Sequence, residues 1–316
     1  MQFDGVSNLT MVWKLKTPVA FFIFNRPDTT RQVFDVIRQA RPPKLLVVAD
    51  GPRPEYPDDP ARCVAARAVV EQVDWDCEVL TNYAETNLGC RRRVSSGLDW
   101  VFQNVSEAII LEDDCVPHPS FFRFCDELLE RYRDDGRIGV ISGNNFQFGR
   151  RRSKYSYYFS RYIHIWGWAT WRRAWQYYDR EMSLWPEMRD VGLLADILGD
   201  AQAERYWTQQ FNSTYEGQID SWAYVWLFSC WAQNLLGILP EVNLVSNIGF
   251  GSGATHTHGN SVLANMPTQE MAFPLQHPPI VVRNKLADDF TQAHVFGTSR
   301  CARIRARFAR LVKYIR

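Results

Sequence analysis

The chain has no glycine-rich phosphate loop. Neither G-x-G-x-x-G nor G-x-x-x-x-G-K-[ST] follows its first apolar run, which excludes a dinucleotide fingerprint and a P-loop. It has no C-x-x-C pair either: seven cysteines lie apart at 63, 77, 90, 115, 125, 230 and 301, without metal-ligand spacing. An odd, scattered set of this kind reads as reduced thiols, and the expected location is cytoplasmic. No apolar run reaches membrane-spanning length. Residues 19–24 are too short for a secretory signal and stop at Asn25, Arg26 and Pro27, so none is expected. Charge of one sign is also missing overall: a net charge of +1 gives no footing for a nucleic-acid binder.

What is present is a globular composition long enough for a sizeable core, with 46% hydrophobic and 22% charged residues among 316. The 12 tryptophans concentrate between Phe146 and Trp231, and aromatic rings with a polar handle suit both packing and stacking on sugars.

The most informative stretch is 108–122. Four apolar residues run straight into Glu112, Asp113 and Asp114, then a proline-punctuated turn leads to a helix expected from Ser120 to Tyr132. So short and apolar a run predicts a strand buried on both faces, as in a parallel sheet. Adjacent carboxylates repel one another unless water or a cation compensates them, and hard divalent ions are held by oxygen. The plain alternative is a solvated acidic turn that caps the next helix.

The same pattern recurs upstream. Residues 19–24 end in Asn25 and Arg26, and Asp28 is expected to cap a helix whose face carries Val33, Val36, Ile37 and Ala40. Residues 44–50 end in Asp50 ahead of Gly51, and the proline- and acid-rich stretch 52–60 must be an exposed loop. A helix over 61–72, a strand over 78–83 and a helix opened by residues 87–93 follow. Alternating strands and helices predict a mainly parallel sheet flanked by helices. Three polar strand ends would then meet along the carboxyl edge, where open sheets bind their ligands.

After residue 145 the texture turns aromatic. Residues 155–162 read as extended, Gly167 between two tryptophans allows a tight backbone, and Asp220 stands at a helix start, where an aspartate is also a good N-cap. The loop 249–259 is glycine-rich with two histidines. The tail 300–316 places Ile304, Phe308, Leu311, Val312 and Ile315 on one helical face among arginines, which reads as a membrane-surface or partner helix, or one docked on its own domain.

Together these features resemble the GT-A nucleotide-sugar glycosyltransferases, in particular family-2-like bacterial enzymes and, more distantly, the animal N-acetylglucosaminyltransferase I group. The resemblance rests on Phe24-Asn25-Arg26, Ala49-Asp50-Gly51, Glu112-Asp113-Asp114 with the following Pro-x-x-Phe-Phe, Gly167-Trp168 and Asp220-Ser221-Trp222. It implies a Rossmann-like GT-A domain: a lead-in over 1–17, a nucleotide-sugar half over 18–145, an aromatic-rich acceptor and catalytic half over 146–260, and an extension over 261–316. It implies Asp114 as ligand of Mn²⁺ or Mg²⁺, with Asp113 and Glu112 near the ribose and metal waters. Asp50 would recognise uracil, with Asn25, Arg26 and Arg91 also on the nucleotide. Gly167, Trp168 and Trp222 would line the sugar side, and His256 would approach the diphosphate or metal. Asp220 is similar to the general base of inverting members, although their acidic pair is here Asp220-Ser221.

The function implied is an inverting, metal-dependent hexosyl- or N-acetylhexosaminyltransferase. It would carry sugar from a UDP-sugar to a hydroxyl of a glycan or lipid-linked saccharide in bacterial surface polysaccharide synthesis. The basic tail would hold it on the anionic inner face of the membrane. A sugar-1-phosphate nucleotidyltransferase is the enzymatic alternative, although Asn25-Arg26-Pro27 lacks the glycine-rich basic signature usual there. A non-catalytic glycan- or nucleotide-binding module is the other.

Overall fold

The computed structural model describes residues 13–250 and 261–297. In chain order it runs β1 (Val19–Ile23), α1 (Pro27–Ala40), β2 (Lys44–Ala49), α2 (Asp59–Val70), β3 (Glu78–Tyr83), α3 (Cys90–Asn104), β4 (Glu107–Glu112), β5 (Cys115–Pro117), α4 (Ser120–Arg131) and β6 (Ile138–Ser142). Then follow β7 (Tyr157–Ser160), β8 (Trp168–Trp171), α5 (Arg172–Trp175), α6 (Trp185–Asp190), α7 (Leu193–Leu198), α8 (Ala201–Tyr215), α9 (Trp222–Ala232), β9 (Leu236–Pro240), β10 (Val245–Asn247) and α10 (Lys285–His294).

One eight-stranded sheet has the order β3-β2-β1-β4-β8-β6-β9-β7. The first four are parallel, β8 runs antiparallel between β4 and β6, β6 and β9 are parallel, and β7 is antiparallel to β9. The mixed, mainly parallel α/β sheet expected from the alternating pattern is therefore what forms. It continues without a break across residue 145.

Both faces are covered, and the strands show why their sequences carry no polar face. Val19, Phe21 and Ile23 point to one side, with Val33, Phe34 and Ile37 of α1 and Phe121, Phe122 and Leu128 of α4. Ala20 and Phe22 point to the other, with Val94, Leu98 and Val101 of α3 and the tryptophans of α8 and α9. Period-2 alternation between two apolar layers gives unbroken apolar runs in sequence. Most of the aromatic surplus is spent here: Trp168, Trp171, Trp185, Trp207 and Trp226 are fully buried.

Two local expectations change. Asp28 does not cap α1: Arg26 is the N-cap residue, without a side-chain cap bond, and Pro27 opens the helix. Proline's fixed φ and missing N–H suit the first helical position, which draws the start upstream of Asp28. Residues 13–17 are held rather than loose, because Asp126 of α4 accepts from Trp13 Nε1, Lys16 N and Thr17 N and Oγ. Outside the main sheet, β10 pairs with β5. Among the described residues no helix is long and apolar enough to cross a membrane.

Candidate functional site

The order β2-β1-β4 makes neighbours of the three polar strand ends. Phe24 N donates to Asp113 Oδ2 at 3.1 Å, which ties the end of β1 to the acids that follow β4. Arg26 then reaches across and pairs with Asp113 and, at 2.9 Å, with Asp114 Oδ2. The β5–β10 ribbon fixes the chain just beyond the acids, with Ile248 N donating to Asp114 O at 2.8 Å. That brings Gly249 so close that a Cβ there would lie 2.1 Å from Asp114 Oδ2, so only glycine fits without displacing the carboxylate.

These residues wall a cavity of about 630 Å³, which Arg26, Asp50, Glu112, Asp113, Asp114, Asp220 and Trp222 all line. Its electrostatics are uneven. Burial first, then Asp114 and Asp113, pushes the Glu112 carboxyl up, and burial pushes Asp113 up against the pull of Arg26. Despite the cost of burial, Asp113 and Asp114 hold the Arg26 guanidinium above its ordinary value.

Asp50 is buried at 7% exposure. Its Oδ1 accepts from Gly51 N at 2.8 Å and Leu88 N at 2.9 Å, and its Oδ2 accepts from Asn87 Nδ2 at 3.1 Å. Burial still leaves its carboxyl above the ordinary value, opposed by those backbone donors. A carboxylate offers about four acceptor positions, so one on Oδ2 takes no hydrogen bond among the described residues.

Asp220 is exposed and makes no hydrogen bond or ion pair among the described residues. The helix-capping role that an aspartate could take falls instead to Ser221, whose side chain accepts from Tyr224 N. Asp220 therefore stands two residues before α9, next to its N-cap, with a carboxylate unpaired among the described residues, beside Gly89 at the start of α3.

Other residues expected at the site lie elsewhere. Asn25 is buried and donates to Asp59 Oδ1 at 2.6 Å. Arg91 is spent on the carbonyls of Thr214, at 3.1 Å, and Arg180. Gly167 has φ +65° and serves packing, since a Cβ there would meet Val245 Cγ2 at 2.7 Å. Trp168 is buried and stacks on Trp222 with ring centres 5.7 Å apart. His256 and the tail 300–316 lie outside the described residues.

No family model matches the chain, and no curated protein matches it in sequence. Among solved structures it is similar to the mannosyltransferase PcManGT from Pyrobaculum calidifontis, in complex with GDP-Man and Mn2+. The identity is 14%, the TM-score 0.36, and the alignment covers 57% of this chain and 48% of that one. The chain thus matches about half the length of that enzyme.

Several lining residues were not anticipated from sequence. Arg53 is gripped by Asp59 through Nε at 2.7 Å and Nη2 at 3.0 Å and lies over the Tyr56 ring at 3.8 Å. Its Nη1 has no protein partner among the described residues. Arg93, Asn87 and Trp166 also face the cavity. An arginine inside a loop rich in proline and acid signals only exposure; its pairing with Asp59 is a product of the fold. Cys90 lines the cavity too, but burial pushes its thiol well up, which does not suit a nucleophile.

Proposed function

We propose that this chain is an inverting, metal-dependent glycosyltransferase that moves a sugar from a nucleotide-sugar to a hydroxyl of a glycan or lipid-linked acceptor. The observation that carries this reading is one cavity that joins three elements. They are a buried carboxylate, Asp50; an arginine-bridged acid pair at the strand ends; and a carboxylate unpaired among the described residues, Asp220, just before α9.

Within that reading the open position on Asp50 accepts from the N3–H of uracil, a donor that cytosine lacks. Arg26 sits where it neutralises the diphosphate. The donor set suits a divalent cation: Glu112, Asp113 and Asp114 supply hard oxygens. Among the described residues no group of three or more His, Cys, Asp or Glu side chains is placed to hold a metal ion by itself. A cation bound by Asp114, with water and phosphate completing its shell, matches the way Mg²⁺ and Mn²⁺ are held. When bound, it would supply charge neutralisation for the leaving diphosphate.

The chain's own residues account for the proton. Asp220 takes it from the acceptor hydroxyl as that oxygen attacks the anomeric carbon. The bond to the diphosphate breaks, and its electron pair leaves with the nucleotide. Trp166 and Trp222 exclude water from the sugar. One displacement with one base inverts the anomeric centre, which NMR of the product reads directly; a retained configuration would remove Asp220 from this role.

Incubation with UDP-sugars and Mn²⁺ tests the reaction class. Metal-dependent release of UDP is expected. Release of sugar-1-phosphate would favour the nucleotidyltransferase, and no turnover of any donor would leave a binding module. A UDP-sugar and surface-polysaccharide synthesis on the inner membrane face, with 300–316 as an anchor, complete the proposal.

A further inference from the structure

A segment of the C-terminal region touches the sheet edge at β7. Phe159 and Arg283 form a parallel bridge, and Asn284 N donates to Phe159 O at 2.7 Å. Val281 packs on the main core, whereas its neighbours Ile280 and Val282 face solvent. They are 66% and 63% exposed, and Leu286, in the first turn of α10, is 72% exposed. Scattered exposed apolar residues are ordinary, but three large aliphatic side chains within so short and well-anchored a segment form a patch.

Basic side chains border it. The loop 149–154 carries Arg150, Arg151, Arg152 and Lys154 and is tied to the segment by Asn284 Nδ2, which donates to Arg152 O at 3.1 Å. The Arg150 and Arg152 guanidinium groups lie 4.5 and 4.9 Å from the centre of the Phe290 ring in α10. Lys285 and Arg283 add two cations. Three acids offset them in part: Asp289 pairs with Lys285, Asp288 is buried against Arg283, and Glu241 accepts from Arg152 N.

We propose that this face docks on an anionic lipid bilayer, with Ile280, Val282 and Leu286 entering the headgroup boundary and the 149–154 cations pairing with lipid phosphates. An aliphatic patch with a basic border has the chemistry of an interfacial membrane surface. The chain also runs on from α10 toward 300–316, which holds arginines at 300, 303, 305, 307, 310 and 316 and Lys313 and no acid. This surface lies apart from the cavity residues, so its test is independent of the proposed chemistry.

The test is flotation of the full chain with phosphatidylcholine vesicles, with and without phosphatidylglycerol, over a range of salt. Wild type should bind only the anionic vesicles, and less as salt rises. Arg150→Ala/Arg151→Ala/Lys154→Ala should lower the partition coefficient about a hundredfold, at about 1 kcal/mol per basic residue, and flatten its salt dependence. Ile280→Ser/Val282→Ser/Leu286→Ser should weaken binding with the salt slope kept. Unchanged thermal unfolding and circular dichroism confirm that both variants are folded. Wild-type partition by both variants would overturn the proposal and leave any binding to the tail. A lipid-free dimer, seen by light scattering and lost in the serine variant, would overturn it in favour of a second copy.

Discussion

Arg26 and Asp114, contributed by the ends of two adjacent parallel strands, meet at 2.9 Å inside the cavity. A pair so placed keeps a cation at the strand ends before any ligand arrives, and it couples the position of Arg26 to whatever binds Asp114. Removing one partner of a half-buried charge pair leaves the other uncompensated.

Asp220→Asn keeps the shape of the side chain and removes its basicity. Because Ser221 supplies the helix cap, the variant should unfold at the wild-type temperature. Its kcat should fall by about 10²- to 10⁴-fold, with KM for the donor little changed. A wild-type kcat would remove Asp220 from the proton transfer.

Arg53 lines the cavity while Asp59 holds its Nε and Nη2, and its Nη1 has no partner among the described residues. Arg53→Ala should weaken UDP binding about tenfold, the cost of one charge-assisted hydrogen bond. Titration of uridine alongside UDP tells whether the base or the phosphates feel the loss. Equal affinity of variant and wild type for both would make Arg53 a loop anchor only.

His164 is buried, its Nε2 lacks a partner among the described residues, and burial lowers its pKa from 6.5 to about 3. Below the unfolded value the unfolded chain takes a proton that the native one does not. Stability is therefore lost as pH falls from about 6.5 toward 3, by up to about 1.4 kcal/mol per pH unit from this group. In urea unfolding at several pH values, His164→Gln should show a shallower acid loss than wild type; parallel slopes would contradict the assignment.

The strand ends were legible because buried parallel strands leave an unmistakable trace: apolar runs that stop at polar residues. Residues 19–24, 44–50 and 108–114 each show it, and the sheet order does place those ends side by side. Phase within an element was harder to read. Three consecutive arginines open α3, and only the fold decides that Arg93 turns to the carbonyls of Ala49 and Asn82 while Arg91 turns toward α8. Trp166 and Trp168 are two residues apart with a positive-φ glycine between them, so strand parity fails. One lines the cavity and the other lies in the core. The Asp59 carboxylate that anchors Asn25 and Arg53 joins residues distant in sequence, a pairing no local pattern announces.

The most direct test is calorimetric titration of UDP with and without Mn²⁺, on wild type and on Asp114→Ala. The proposed site predicts metal-dependent binding to wild type that the substitution abolishes. Binding indifferent both to Mn²⁺ and to Asp114 would contradict it and return the three carboxylates to a solvated turn at the end of β4.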